Sequence, residues 1–400
     1  MITITWYWRQ AIVGWRRNSL LLILPTKSTA LRYSSNMAPE RRAKQVCVVT
    51  GGSGFLGQHI VHLLQTKCDD VREVRTFDVQ PIKKFLEYED NFSSRHIIGD
   101  VTNYTNIMQA LDGVDVVYHV AGVVSYGTRP DTELMQKVNV SGTENVIHAC
   151  IEMSVPRLIF CSTVDVVVGD KNIVDGTEDT AITPSHFLFP GYPQTKHEAE
   201  DLVCRANGSH LANGGRLYTV SLRPNVMYGE GDPFLIPSAL QSAYSAGGWS
   251  VCVGNGKAIF QVSYAGNVAW AFLMANRTLL DNKLTNVEGQ YFFVPDDTPA
   301  TSIYTTLEPY LHDRGFKHMP VYIPYWLIHG LLSIRDLFLW LISPLVKINA
   351  QPPICSIKYI NMTLTFKNDK ARTYLGFRPL FNPEEALQRS RKYYKKIKLN

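Results

Sequence analysis

The chain has 400 residues, 45% hydrophobic and 19% charged, a globular composition that excludes a disordered or low-complexity protein and leaves room for a large core. The net charge of +5 is mild and collects at both ends, which suits a charged surface to dock against and argues against nucleic acid. Seven scattered cysteines include no Cys-x-x-Cys pair, so they read as reduced core residues in a reducing compartment, and no metal site is expected.

The first 39 residues carry Arg9, Arg16, Arg17, Lys27 and Arg32 with several serines and no acid before Glu40. This is the composition of a transit peptide, or of an upstream extension with translation starting at Met37; either way residues 1–44 lie outside the fold. From Gln45, short apolar runs alternate with helix-length connections. "VCVVTGG" (46–52) reads as a buried strand, and "VREVRTFD" (71–78), "RHIIGDV" (95–101), "VDVVYHVAG" (114–122), "RLIFCSTVDVV" (157–167) and "YTVSLRPNVMYG" (218–229) as five further, largely apolar strands. Such spacing predicts an α/β fold, a doubly wound parallel sheet of Rossmann type over residues 45–229. Residues 230–400 break into shorter elements and are assigned mostly to a smaller substrate lobe.

Within that lobe, "YIPYWLIHGLLSIRDLFLWLISPLVKI" (322–348) is strongly apolar, but His329 and the Arg335-Asp336 pair divide it into pieces nearer ~10 residues than the ~20 of a membrane span. It fits either a buried helix pair or a helix lying in a membrane interface with Tyr322, Tyr325, Trp326 and Trp340 at headgroup level. The tail "RSRKYYKKIK" adds cations that anionic lipids attract, which favours the interface.

Three constellations carry chemistry. In "TGGSGFLG", Gly51, Gly54 and Gly57 sit between a strand and a helix, where glycines let a pyrophosphate approach unpaired N–H groups at the helix N-terminus. Asp78 ends the second strand, at the place of an acid that binds the adenosine ribose hydroxyls; Arg75 on the same strand leaves NADP open, with NAD preferred. Asp100, in "GDV", suits the adenine edge. Finally, Tyr192 and Lys196 of "GYPQTKHEAE" are one helical turn apart, so the ammonium is expected to lower the phenol towards a working base, while His197, Glu198 and Glu200 read as the solvated face. Ser162 and Thr163 of "CST" offer the hydroxyl that would hold a substrate oxygen.

This ordered set resembles an extended short-chain dehydrogenase/reductase. More narrowly, "SGFLGQHIV" (53–61), "LRPNVMYGEGDPFL" (222–235), "GNVAWA" (266–271), "DDTP" (296–299) and "FRPL" (377–380) resemble the 3β-hydroxysteroid dehydrogenase/Δ5-Δ4 isomerase family. The resemblance implies Tyr192 as acid/base, Lys196 as its partner and ribose ligand, Thr163 as hydroxyl donor with Ser162 as fallback, and Asn139 in a proton relay. It implies an NAD pocket of Gly51, Gly54, Phe55, Leu56, Gly57, Asp78, Asp100, Val101, Ala121, Gly122, Tyr192, Lys196, Pro224 and Asn225. It further implies a steroid or sterol substrate, association with membranes of the endoplasmic reticulum or mitochondrion, and room for a homodimer. The expected reaction is NAD-dependent oxidation of a 3β-hydroxyl to the 3-ketone, with Δ5-Δ4 isomerisation left open as a following step; decarboxylating oxidation of a sterol 4-carboxylate, a nucleotide-sugar epimerase and a non-catalytic NAD-binding membrane scaffold are the alternatives. Phe292 and Phe293 stand where relatives carry paired tyrosines, one a proposed isomerase acid, which leaves Tyr291 and Asp296 as the nearest isomerase candidates.

Overall fold

A computed structural model describes residues 44–281 and 287–399. The N-terminal extension lies outside the described residues except for Lys44. Seven strands, β1 Gln45–Thr50, β2 Val71–Asp78, β3 Ser93–Ile98, β4 Val116–His119, β5 Arg157–Cys161, β6 Tyr218–Arg223 and β7 Gln290–Phe293, form one sheet in the order 3-2-1-4-5-6-7. Every pairing is parallel. The order reverses between β1 and β4, which opens a crevice at the carboxyl ends of the strands where open α/β sheets bind ligands.

Alternation along β1 shows why both faces are covered. Cys47 and Val49 join one apolar cluster with Ile60, Leu63 and Leu64 of the Phe55–Lys67 helix and Val268 and Phe272 of the Ala265–Leu280 helix. Val46 and Val48 point the other way, into a cluster with Val146, Phe160 and Ala199. All six β1 residues are buried, as a strand sandwiched between two helix layers requires. The edge strand β3 is instead mostly exposed and polar, with Ser93, Ser94, Arg95 and His96 discouraging further pairing.

The six expected strands are present, most of them shorter than read, the fourth spanning only Val116–His119, and in the fifth and sixth the reason is identifiable. The fifth stops at Cys161 because the Thr163 hydroxyl accepts the Asp165 N–H and turns the chain into a 3-10 helix, Val164–Val167. The sixth breaks at Pro224, which has no N–H for the ladder; Val226–Tyr228 then pairs with Val262–Tyr264 in a separate two-stranded sheet. The seventh strand comes from residues 290–293, in the stretch assigned mostly to the substrate lobe, so the lobe and the sheet interleave along the chain. The lobe has its own core, in which Tyr228, Ile236, Phe260, Tyr264 and Phe293 pack together.

The apolar segment forms a helix, Tyr325–Leu341, with no buried residue. Trp326, Ile334 and Trp340 are 73%, 69% and 68% exposed, so the buried-pair reading of this segment does not hold. Among the described residues, no helix is long and apolar enough to cross a membrane. In the basic tail, Arg391 and Lys395 pair with Asp313, and Arg389 with Glu230, so part of its charge is spent within the lobe.

Candidate active site

A cavity of about 650 Å³ opens at the carboxyl ends of β1, β2, β4, β5 and β6; the residues expected for the NAD pocket, together with Ser162, Thr163, Tyr192 and Lys196, line it, whereas Asn139 does not. Gly51 has φ +68°, and a side chain there would strike the Ala121 backbone at 2.8 Å. A Cβ on Gly57 would lie 2.1 Å from the Gly51 carbonyl oxygen, so the helix can sit this close to the turn only without one. Gly54 is the helix N-cap and supplies no side-chain cap, which leaves first-turn N–H groups turned to the cavity for an anion.

At the end of β2, Asp78 accepts the Ser53 N–H through Oδ2 and the Gln80 N–H through Oδ1, both at 3.0 Å. These bonds fix the carboxylate beside the glycine turn and leave it lone pairs for ribose hydroxyls. Arg75 is not available to a 2′-phosphate: its guanidinium binds Glu73 and the carbonyls of Ala110 and Asp112. Asp100 holds the Thr102 N–H at 2.8 Å while lining the cavity.

The Tyr192–Arg205 helix starts after Gly191, φ +81°, where a Cβ would meet Met135 at 2.7 Å, and carries Pro193 in its first turn. Glu200 is not on a solvated face. It is 2% exposed and accepts hydrogen bonds from Arg223 Nε at 3.0 and 3.1 Å and from the Ser221 hydroxyl at 2.8 Å, which ties the helix to β6. The helix is amphipathic on the face opposite to solvent, and Glu200 shares that face with Lys196 by the i, i+4 spacing.

Lys196 is buried, its Nζ 4.2 Å from the Phe160 ring centre. Burial lowers its pKa. Tyr192 differs from the expectation of a lowered phenol: burial pushes it well above its ordinary range, Tyr126, Asp165 and Cys161 add to the rise, and the Thr163 hydrogen bond offsets part of it. The physical reason is that desolvation of the phenolate outweighs the attraction of a cation one turn away.

Asn139 is buried on a π-helical turn, Gln136–Ser141, a local irregularity that recurs at functional sites and leaves no mark in the sequence. Its side chain accepts the Val123 N–H at 2.7 Å and donates to the Val123 carbonyl and to Thr195, so it pins the loop that floors the pocket. A Cβ on Gly122 would stand 3.3 Å from Asn139 Oδ1 and 3.9 Å from Lys196 Nζ.

The pocket fits a nicotinamide dinucleotide on its own chemistry. Ser162 Oγ and Asn225 Oδ1 are buried and lack a hydrogen-bond partner among the described residues, and both line the cavity at the end away from Asp78. Buried orphans of this kind are costly unless a ligand completes them. Pro224 and Asn225 also follow the strand that Glu200 anchors.

Sequence reasoning did not single out Tyr126, Asp165, Asp232 or Phe234, all of which line the cavity. Tyr126 packs edge-on against Tyr192, Phe189 and Phe234. For Asp165 a signal existed, an acid two residues beyond the hydroxyl pair in "CSTVDVV". Tyr291, Phe292, Phe293 and Asp296 do not line the cavity. Phe292 and Phe293 are core residues, Tyr291 stacks under the Arg223 guanidinium at 3.6 Å, and Asp296 accepts the Tyr264 N–H and the Asn267 side-chain amide.

The parallel sheet, the glycine turn and the Tyr-x-x-x-Lys helix together define an extended short-chain dehydrogenase/reductase. The chain matches the 3-beta hydroxysteroid dehydrogenase/isomerase family over residues 48–320, and it belongs to that family. Similar solved structures include MoeE5 in complex with UDP-glucuronic acid and NAD, at 21% identity and TM-score 0.61, covering 88% of this chain and 99% of that one. A UDP-glucose 4-epimerase from Thermotoga maritima, solved with UDP-glucose, matches at 20% identity and TM-score 0.62, with 88% and 99% covered. The dTDP-glucose 4,6-dehydratase DesIV from Streptomyces venezuelae, with NAD and TYD bound, matches at 18% and 0.62, with 88% and 97% covered. At these identities the likeness is one of fold.

Proposed function

We propose that this protein oxidises the 3β-hydroxyl of a neutral steroid or sterol to the 3-ketone, with NAD as cofactor. The observation that carries the reading is the charge of the cavity wall. Among the described residues that line the cavity, Lys196 is the one Lys or Arg, whereas Asp165 and Asp232 line it together with Tyr126, Leu134, Pro233, Phe234 and Leu235. A nucleotide-sugar diphosphate or a sterol carboxylate would bring negative charge there with no further cation to meet it, at a desolvation cost of several kcal/mol. An apolar alcohol meets no such penalty.

Asp78, the glycine turn, Lys196 and the orphaned Ser162 and Asn225 are the groups that would hold NAD, and Arg75 is engaged elsewhere, which supports NAD over its 2′-phosphorylated form. Bound NAD supplies the hydride acceptor. Thr163 holds the substrate oxygen, and Tyr192 takes its proton. Each pKa unit by which Tyr192 exceeds the working pH costs ~1.36 kcal/mol for the phenolate, and the buried Lys196 ammonium on the same helix face is the cation placed to offset it. Attachment to a membrane surface, of endoplasmic reticulum or mitochondrion, is part of the proposal. The exposed apolar Tyr325–Leu341 helix supports it.

The test supplies NAD with a Δ5-3β-hydroxysteroid, a 4-carboxylated sterol and UDP-glucose in parallel, following NADH and product. NADH from the first alone is expected, and Tyr192→Phe should abolish it while NAD still binds. Turnover of either anionic substrate in preference, or a Tyr192→Phe variant at the wild-type rate, overturns the reading.

A further inference from the structure

We propose that His119 is a positioning residue for NAD: through the Thr50 and Thr143 hydroxyls it fixes the 121–123 floor of the cofactor pocket and the turn that carries Asn139. The inference rests on the cofactor alone and needs no assumption about the substrate. His119 ends β4 and is paired with Thr50 at the end of β1, so it stands at the base of the crevice where the strand order reverses.

The hydrogen bonds around the ring admit one direction. A carbonyl only accepts, so the Thr143 hydroxyl gives its one hydrogen to the Asn139 carbonyl, at 2.6 Å. The Thr143 oxygen therefore accepts from His119 Nε2, 2.9 Å away, and Nε2 carries the ring proton. A neutral imidazole has no second N–H, so Nδ1 is bare and accepts the Thr50 hydroxyl at 2.7 Å. The Thr50 oxygen in turn takes the Ala121 N–H at 3.3 Å. Donors and acceptors thus run in one chain from Ala121 through Thr50, His119 and Thr143 to Asn139.

Both ends of this chain meet the pocket. Ala121 packs so closely on the glycine turn that a Cβ on Gly51 would stand 2.8 Å from its backbone, so a shift of Ala121 moves the floor against the anion-binding turn. At the other end Asn139 accepts the Val123 N–H at 2.7 Å and donates to the Val123 carbonyl at 2.9 Å. Gly122, which lines the cavity between these two fixed points, is held from both sides. The ring itself stays neutral, because burial, and after it the Lys196 ammonium, lower its pKa to about 3.

Filling space would not call for this pattern. An apolar side chain fills a core at less desolvation cost, whereas here two buried hydroxyls converge on one ring and each has its hydrogen committed. Removing the ring nitrogens while keeping the volume leaves the Thr50 hydroxyl without its acceptor and the Thr143 oxygen without its donor. Both faults fall directly behind the floor, so they reach cofactor affinity as well as folding.

The tests use the full chain and NAD. Histidine-ring nitrogen NMR at about pH 7, with the His119 ring assigned by its loss in His119→Gln, should show Nε2 protonated and Nδ1 bare; the opposite tautomer or a charged ring overturns the proposal. In calorimetric titration, His119→Leu should weaken NAD binding about tenfold or more, and His119→Gln, which keeps one acceptor and one donor, should return to within about threefold of wild type. Wild-type affinity in His119→Leu overturns it, since a ring that only fills the core would lower the melting temperature and leave NAD binding intact. His119→Gln as weak as His119→Leu overturns it too. Should His119→Leu not fold, Thr50→Val and Thr143→Val decide the matter. Each should weaken NAD binding, and the two together by clearly less than the product of their separate effects, because the first break already interrupts the chain; multiplicative effects overturn the proposal.

Discussion

Replacing Glu200 by Ala should destabilise the protein severely, because it strands a charge. The Glu200 and Arg223 side chains are 2% and 4% exposed, and Glu200 provides both carboxylate oxygens to that guanidinium. Arg223 is further enclosed by the Tyr291 and Phe293 rings, so water cannot replace the lost partner. Breaking one side of a buried pair costs about 3–5 kcal/mol, a large part of the roughly 5–15 kcal/mol that holds a protein folded. With an m-value towards the upper end of ~1–3 kcal/mol/M for a chain of this length, the urea midpoint should fall by roughly 1–2 M. Activity should fall with it, since Glu200 anchors the helix that presents Tyr192 and Lys196. Removing both charges together, Glu200→Leu with Arg223→Met, should recover most of the loss, because no ion is then left buried. A Glu200→Ala midpoint within about 0.3 M of wild type at unchanged m, under ~1 kcal/mol, would refute the reasoning.

Gly57→Ala should weaken NAD binding at least tenfold and cost ~1–3 kcal/mol of stability, since its Cβ would sit 2.1 Å from the Gly51 carbonyl oxygen; calorimetric titration with NAD at wild-type affinity would contradict this. His119 is fully buried between the Thr50 and Thr143 hydroxyls, and burial lowers its pKa to about 3. The unfolded imidazole binds its proton near pH 6.5, so its contribution to stability is intact above that pH and is lost as pH falls from 6.5 towards 3, at up to ~1.4 kcal/mol per unit. Unfolding curves of His119→Gln should lose this part of the acid dependence, and an identical slope to wild type would show that His119 does not carry it. Replacing Trp326 and Trp340 by Ser should release the protein from anionic liposomes in a flotation assay without shifting its melting temperature, given that both rings are exposed; unchanged flotation would assign membrane contact elsewhere.

Residues near one another in sequence, or bound to one backbone geometry, could be read directly. The glycine turn, the acid at the end of β2, the hydroxyl pair ending β5 and the Tyr192-Lys196 spacing are local patterns, and apolar runs of strand length announced the parallel sheet. Because the strands run parallel, their carboxyl ends meet at one edge, and the residues expected for the site were brought to one cavity by that topology alone. The exposed face assigned to Glu200 shows the limit: a charge in a helical pattern is read as solvated unless its partner is known, and Arg223 lies 23 residues away on another element.

Tertiary structure decided what depends on distant partners and on desolvation. The seventh strand, Gln290–Phe293, is too short and too far along the chain to be placed in the sheet without the pairing to β6. The rise of the Tyr192 phenol comes from the low-dielectric walls that folding builds around it, and no spacing rule reports that. The Asp165 carboxylate is held by Tyr359, 194 residues later, whose hydroxyl donates to it at 2.7 Å. The sequence by itself determined the sheet that carries the glycine turn and the Tyr192-Lys196 pair on one helix, because both are written in local patterns; the charge and shape of the cavity exist only once remote segments close around it.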